Sequence, residues 1–317
     1  MKIGIIGSGN IAPFHIEAIL ANGLDLAYLA SSPNSIRGRQ LAEKYKVPNF
    51  FNNAQDLIAN SDWDGLVIVA STEVSLAYLE IASRHLKPIL IEKPVSLTSK
   101  ELNKEFVNSS KILVGYNRRF YENISYLKNV LYDFGPCLIN VEIPQELKYK
   151  NSQFPMFEVL SNSVHMFDTL RYLCGDIEIN DTKHLSGLGT QVSLRSKRGD
   201  LISMTLNYNS PANFSISIDC FPKKYVLKPL EVLTEYCGMK VLEPDASVPV
   251  RRYQPVIEMQ RFSENILSGI KPGFKNQYQE FSSMVHGNPR KIGASLNDAL
   301  AAIKLAEEVT KGFKIDL

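Results

Sequence analysis

Hydrophobic and polar positions along the chain fall into two regimes that change near residue 121. In the first, short apolar runs alternate with stretches of helical period. Ile3, Ile5 and Ile6 are β-branched and suit a buried parallel strand, and from Phe14 to Leu20 the spacing turns helical. Leu24–Ala30 predicts a second strand. Asp64–Ser71 predicts a third, apolar almost throughout, as a strand covered on both faces should be. A helix over Ser75–Leu86, a fourth strand at Pro88–Ile91, another helix and a fifth strand at Lys111–Val114 complete the run. Such alternation predicts a parallel, doubly wound α/β sheet, whose ligands bind at the carboxyl ends of the strands.

In the second regime the helices thin out. Gly135–Ile143 reads as extended, and the polar stretch to Pro155 is broken by Pro144 and Pro155. A helix at Val164–Cys174 is followed by strand-like runs at Gln191–Arg195, Leu201–Asn207, Phe214–Phe221 and Tyr225–Leu227. Strands without intervening helices predict a mainly antiparallel sheet in an α+β domain, so the expected boundaries are 1–120 and 121–317. Phe214, Ile216 and Ile218 alternate along one run and predict an open apolar face, hence a homo-oligomer joined through this sheet. An amphipathic helix over Ser295–Lys311 ends the pattern, with Ser295 as N-cap, Asp298 three residues on and Gly312 as the stop.

Composition narrows the class. A chain of 317 residues exceeds one comfortable core, which supports two domains. Its formal net charge of +2 predicts neither a nucleic-acid nor a membrane partner, and no apolar run approaches the roughly 20 residues of a spanning helix. The N-terminus enters a strand directly, so no signal peptide is expected. Cys137, Cys174, Cys220 and Cys237 lack C-x-x-C spacing and read as reduced thiols, with no metal site expected and a cytoplasmic location.

Candidate chemistry starts at Gly7-Ser8-Gly9-Asn10-Ile11-Ala12, which follows the first strand in the G-x-G-x-x-A form. Gly7 permits the tight turn, Gly9 lets backbone approach a pyrophosphate lying on Ser8–Ile11, and Ala12 permits close helix–strand contact. The second strand ends at Ser31-Ser32, where a carboxylate would bind the ribose of NAD. Serines with Arg37 and Arg39 close behind suit a 2′-phosphate, which favours NADP over NAD. The strand-end rule gathers the glycine turn, Ser31, Ser71, Glu92-Lys93-Pro94 and Tyr116–Arg119 along one edge. Lys93, set by the following proline, can donate to a substrate oxygen, and desolvation would lower its pKa. His165 falls in the first turn of a helix capped by Ser161, Asn162 or Ser163, where the dipole favours the neutral ring of a general base. Asp168 shares its face and could hold that ring or an arginine, while His15, His85, His184 and His286 receive no role.

Four segments in order resemble the glucose–fructose oxidoreductase, inositol 2-dehydrogenase and MocA (Gfo/Idh/MocA) family. They are GSGNIA, Glu92-Lys93-Pro94, Gly115-Tyr116-Asn117-Arg118-Arg119-Phe120 and the HMFDTLRYLCGD helix that begins at His165. The resemblance implies an N-terminal Rossmann domain and a C-terminal domain with an open, mainly antiparallel sheet. It implies a last helix packed back on the Rossmann domain, and hydride transfer between NAD(P) and a sugar-like polyol or nucleotide sugar. Lys93 and His165 would then be catalytic. Gly7 to Ile11, Ser31, Ser32, Arg37, Ser71, Glu92 to Pro94, Asn117 and Arg118 would bind the cofactor. Lys93, Tyr116, Ser161, Asn162 and His165 would meet the substrate. The chain departs from the family where Ser161 and Ser163 stand in D-x-G-x-H, where Ser71-Thr72-Glu73-Val74-Ser75-Leu76 stands in T-P-x-x-x-H, and where Ser31 replaces an acid. The alternatives are a sugar-modifying enzyme that oxidises transiently and eliminates, and a non-catalytic cofactor-binding regulator. The polar stretch Glu142–Pro155 and the pair Arg251-Arg252 read as solvated loops, with a phosphate or carboxylate contact as the other reading.

Overall fold

The structure is a computed structural model that describes residues 1–59, 62–102, 109–146, 162–263 and 269–311. Two compact units divide the chain. The first comprises Met1–Tyr121, Val159–Asp168 and Asn265–Glu308, and the second Glu122–Glu158, Thr169–Glu264 and Val309–Leu317.

In the first unit, β1 (Lys2–Ile6), β2 (Asp25–Ala30), β3 (Asn49–Phe51), β4 (Gly65–Ile68), β5 (Ile89–Ile91) and β6 (Ile112–Val114) form one parallel sheet. Their order is β3-β2-β1-β4-β5-β6, so the chain winds outward both ways from β1 and β4. That reversal opens a crevice beyond the carboxyl ends of β1 and β4. The helices between strands are α1 (Ala12–Ala21), α2 (Ile36–Lys44), α3 (Ala54–Ala59) and α4 (Thr72–Ser83). Strand β3 escaped the sequence pattern because it holds three residues, none fully buried. The run Asp64–Ser71 yields only Gly65–Ile68 as strand, since Ser71 already caps α4. The expected helix before β6 includes 103–108, outside the described residues, and is preceded by a 3-10 turn at Ser99–Glu101.

The second unit carries α5 (Glu122–Tyr132), most of α6 (Val164–Cys174) and an eight-stranded sheet. Its strands are β7 (Leu138–Gln145), β8 (Ile177–Leu185), β9 (Gly189–Ser196), β10 (Leu201–Tyr208), β11 (Ser215–Cys220), β12 (Lys223–Leu227), β13 (Val232–Leu242) and β14 (Arg252–Phe262), ordered β14-β13-β12-β11-β7-β10-β9-β8. All its neighbours are antiparallel except β7 and β10. The apolar face expected from Phe214, Ile216 and Ile218 is not open. Ile216 and Ile218 are fully buried within the chain, while Ser215, Ser217 and Asp219 on the opposite side are half-exposed. The period of two was read correctly, but its apolar half faces the protein's own interior. Pro144 lies inside β7, and residues 147–155 fall outside the described residues. Arg251 and Arg252 are exposed and pair with Glu243 and Asp245. Cys137, Cys174 and Cys220 are buried thiols and Cys237 is half-buried.

The first unit closes with α7 (Phe274–Val285) and α8 (Leu296–Thr310), of which residues 296–308 belong to that unit. Phe274, Tyr278, Phe281 and Met284 of α7 join Ile3, Ile5, Ile16 and Val67 in one buried cluster. The contact is close: a Cβ on Gly65 would meet Val285 at 2.8 Å and Phe281 at 3.0 Å. Arg119 ties these segments together. Its Nε and Nη2 donate to Asp168 at 2.8 and 2.6 Å, and Nη2 lies 3.1 Å from Asp298 at the start of α8. Burial opposes the charge on Arg119, but the two carboxylates outweigh it and raise its pKa.

Deleting Asp168 would leave that guanidinium buried beside one carboxylate. Asp168→Ala is expected to cost about 3–5 kcal/mol, the usual penalty for breaking a buried pair from one side. Urea unfolding followed by circular dichroism measures it, and a loss below about 1 kcal/mol, the range of exposed pairs, would contradict the assignment.

Candidate functional site

The glycine turn stands at the crevice. Gly7 leaves β1 with φ 114°, and a Cβ there would lie 2.5 Å from the carbonyl oxygen of Val69, so no other residue fits. A Cβ on Gly9 would meet no atom within 4 Å, which leaves that backbone open to a ligand. Helix α1 begins after Ile11 with a proline in its first turn, no side-chain cap and no acidic residue. Its positive end is therefore available to an anion. These features fit the pyrophosphate of a dinucleotide.

Beside the turn lies a groove of about 670 Å³. Gly7, Ser8, Gly9, Asn10 and Ile11 line it, with Ser31 and Ser32 at the end of β2 and Ser71 after β4. The Ser8 hydroxyl is 2.7 Å from that of Ser31 and 3.0 Å from that of Ser35, the N-cap of α2. Arg37 does not line the groove. It is exposed, and its Nη1 donates to Asn10 Oδ1 at 2.5 Å.

A second cavity of about 330 Å³ shares Ile11, Val69 and Ala70 with the first. Glu92, Lys93, Asn117, Arg118, Asn162 and His165 line it, so both candidate catalytic residues meet in one place. Asn117 is fixed by donating to the carbonyl of Pro272 at 2.9 Å. Tyr116 is fully buried and sets its ring edge-on to His165, 5.8 Å between centroids, without lining the cavity. Pro94, joined to Lys93 by a cis bond, lines neither space. Ser161 lies outside the described residues. Asp168 holds Arg119, as one of its two expected roles required.

Electrostatics in this cavity follow from burial. His165 is pushed well below the ordinary histidine range, first by burial and then by the charges of Lys93, Arg118 and Lys271. The neutral ring expected from a helix dipole thus has a different main cause. Lys93 is also lowered by burial. Glu92 opposes that shift, while Arg118 and Lys271 add to it.

Three residues beside the site were passed over in the sequence. His15, fully buried on α1, brings Nε2 to 3.0 Å from Glu92 Oε1, and its Nδ1 is 2.7 Å from the Tyr278 hydroxyl. A lone histidine on the apolar face of α1 was the available signal. Lys271 and Phe274 also line the second cavity. No local motif marks them, because they enter from a segment distant in sequence.

A parallel sheet reversing at β1 and β4, with a glycine turn at the reversal, defines a dinucleotide-binding Rossmann domain. Residues 1–110 match an oxidoreductase family with an NAD-binding Rossmann fold. Myo-inositol 2-dehydrogenase of Thermotoga maritima is 26% identical over 187 residues, 56% of this chain and 55% of that protein. The chain thus matches about half the length of that curated relative. A dehydrogenase from Clostridium difficile has the same fold, with a TM-score of 0.78 at 20% identity over 99% of both chains. So does a levoglucosan dehydrogenase in complex with NADH, with a TM-score of 0.77 at 16% identity over 98% of this chain and 96% of that one. The family match covers about the first third of the chain, and the solved structures share its fold over nearly the whole of it.

The His15–Glu92 contact predicts a pH signature. Burial raises the Glu92 pKa, but the hydrogen bond and charge of His15, then the charge of Lys93, bring it below the usual carboxylate value. A carboxyl with a depressed folded pKa stabilises the fold above its unfolded pKa, near 4.3, and loses that contribution as pH falls through the folded value. In His15→Leu burial acts with less opposition, so the Glu92 pKa rises. The stability deficit of the variant is expected to be largest at neutral pH and to shrink towards pH 4, read from unfolding midpoints across that range. A deficit independent of pH would reduce His15 to a packing residue.

Proposed function

We propose that the chain is an NAD(P)-dependent oxidoreductase that moves a hydride between nicotinamide and the hydroxyl-bearing carbon of a sugar, polyol or nucleotide sugar. The observation that carries this reading is the meeting of Lys93 and His165 in a cavity that shares a wall with the groove at the glycine turn. The polyol substrate in the name of the Thermotoga relative and the anhydrosugar in that of the structural neighbour support the substrate class. Nicotinamide, when bound, supplies the hydride acceptor or donor. Gly9, Asn10 and the first turn of α1 hold the pyrophosphate. Ser31 and Ser32 take the place of a carboxylate on the ribose rim, with Arg37 nearby at Asn10, so a 2′-phosphate meets hydroxyls and not a like charge.

Lys93 hydrogen-bonds the reacting oxygen of the substrate and steadies negative charge there. His165, with its lowered pKa, is unprotonated at neutral pH and takes the hydroxyl proton on a ring nitrogen as the alcohol is oxidised. In the reverse direction it returns that proton to the oxygen. Asn162 and Arg118 bound the substrate from the other sides of the cavity. Self-association is also proposed through the second unit. Met239, Val241, Val256 and Ile257 on β13 and β14 leave apolar side chains exposed at the edge of the sheet, unlike its polar face.

Calorimetry with NAD(H) and NADP(H) is expected to give binding of at least one pair, and no binding of any form would overturn the reading. Lys93→Ala and His165→Ala should each lower turnover by about 10²–10⁴ with cofactor affinity nearly unchanged. If His165→Ala turns over as fast as the parent, the proton acceptor lies elsewhere. Light scattering is expected to give a mass above the 35.6 kDa of one chain, and a monomer at micromolar concentration would refute self-association.

A further inference from the structure

A pair of thiols lies at one end of the sheet in the second unit. Strand β7 pairs with β11 through Ile139–Ile218 and Leu138–Asp219, so one step further Cys137 stands opposite Cys220. Both share the inner face with Ile139 and Ile218, and each is only 3% exposed. Their sulfurs are 2.9 Å apart. Two unbonded sulfurs ordinarily sit farther apart, and the gap is roughly 1 Å beyond the ~2.05 Å of a bond.

The hairpin between β9 and β10 fixes Cys137 in this position. Asp200 is fully buried and accepts from the Cys137 backbone N–H at 2.9 Å. Arg198 donates to Asp200 at 2.6 Å and to the carbonyl of Leu131, near the end of α5, at 2.5 Å. Its Nη2 also reaches the Cys137 sulfur at 3.7 Å. The other two thiols are placed differently: Cys237 in β13 stands opposite Lys223, and Cys174 ends α6.

We propose that Cys137 and Cys220 are a redox-modification site, which a small disulfide such as oxidised glutathione converts to an intrachain disulfide joining β7 to β11. One cysteine, as its thiolate, attacks a sulfur of the external disulfide and expels a first glutathione thiolate. The other cysteine then attacks the protein-bound sulfur, expels the second glutathione thiolate and closes the bond. The two cysteine protons pass to the two glutathione thiolates. The cysteine pair gives up two electrons, and the external disulfide takes them. Burial and the adjoining Cys137 thiol push the Cys220 pKa up, so Cys137, beside the partly exposed Arg198, reacts first. Because the sulfurs already lie side by side, the closing step needs little movement of the backbone. The bond restricts the unfolded chain more than the folded one, so it stabilises the second unit. The inference does not depend on the oxidoreductase reading.

The test incubates the full chain, reduced and then freed of reductant, with oxidised glutathione in native buffer. The product is alkylated, digested and mapped by mass spectrometry. Two of the four cysteines are expected to escape alkylation, in one cross-linked pair of peptides that carries Cys137 and Cys220. Dithiothreitol should restore all four. The urea midpoint should rise on oxidation and return on reduction. Cys137→Ala and Cys220→Ala should abolish both responses, and Cys174→Ala should keep them. Four alkylated cysteines after oxidation overturn the inference, as does a lasting glutathione adduct or a bond that includes Cys174 or Cys237. Cross-linking that appears only in urea, where the fold no longer aligns the pair, overturns it too. The peptide map is read on the parent chain, so it decides the matter even where a variant fails to fold.

Discussion

The arrangement of the site depends on one buried guanidinium. Arg119 is held in two-point contact by Asp168 and approached by Asp298, so the turn after β6, the start of α6 and the start of α8 converge on a single charge. His165 is three residues before Asp168 on the same helix, one turn away, and Arg118 adjoins Arg119. The ion cluster therefore sets where the histidine stands relative to the cavity. Buried pairs of this kind add little net stability over an apolar core of the same shape, but they are costly to break. Their use here lies in geometry: a two-point arginine–carboxylate pair admits few relative orientations.

On the other side of the cavity a hydrogen-bonded chain performs a similar task. Tyr278 on α7, His15 on α1 and Glu92 after β5 link three segments that are far apart in sequence. The carboxylate so fixed is the counter-charge nearest in sequence to Lys93, and it resists the fall in lysine pKa that burial and neighbouring cations bring about. Had Glu92 been free to turn outward, Lys93 would face Arg118 and Lys271 with less compensation. The surroundings of the lysine thus depend on contacts that run back to α1 and α7.

Most of the parallel sheet was legible in the sequence because its strands are buried on both faces and read as apolar runs set off by helices. The glycine turn was legible for a stereochemical reason, since the backbone at Gly7 admits no Cβ. Lys93 and His165 were singled out by local context, as residues at a strand end and a helix start, and both line one cavity. What escaped lacks local marks. His15 resembled any core residue of an amphipathic helix, and its meaning comes from Glu92, many residues away in sequence. Lys271 sits in an unremarkable turn, and only the packing of α7 on the sheet brings it to the cavity. The face of Ile216 was misjudged for a related reason: alternation separates two faces of a strand, but it does not say which is covered from within.

The two cavities share Ile11, Val69 and Ala70, and that shared wall follows from the order of the sheet. Because β1 and β4 are neighbours whose following helices diverge, Gly7 and Val69 emerge side by side at their carboxyl ends. The carbonyl of Val69 excludes any side chain at Gly7, so the turn is pressed against the wall that both cavities use. A ligand whose phosphates rest on α1 can then extend past Ile11 towards Lys93 without crossing the sheet. The same contact that demands glycine at position 7 thereby sets the distance between the first turn of α1 and the cavity lined by Lys93 and His165. A larger residue there would be expected to disturb both spaces together, because the wall it would push against belongs to both.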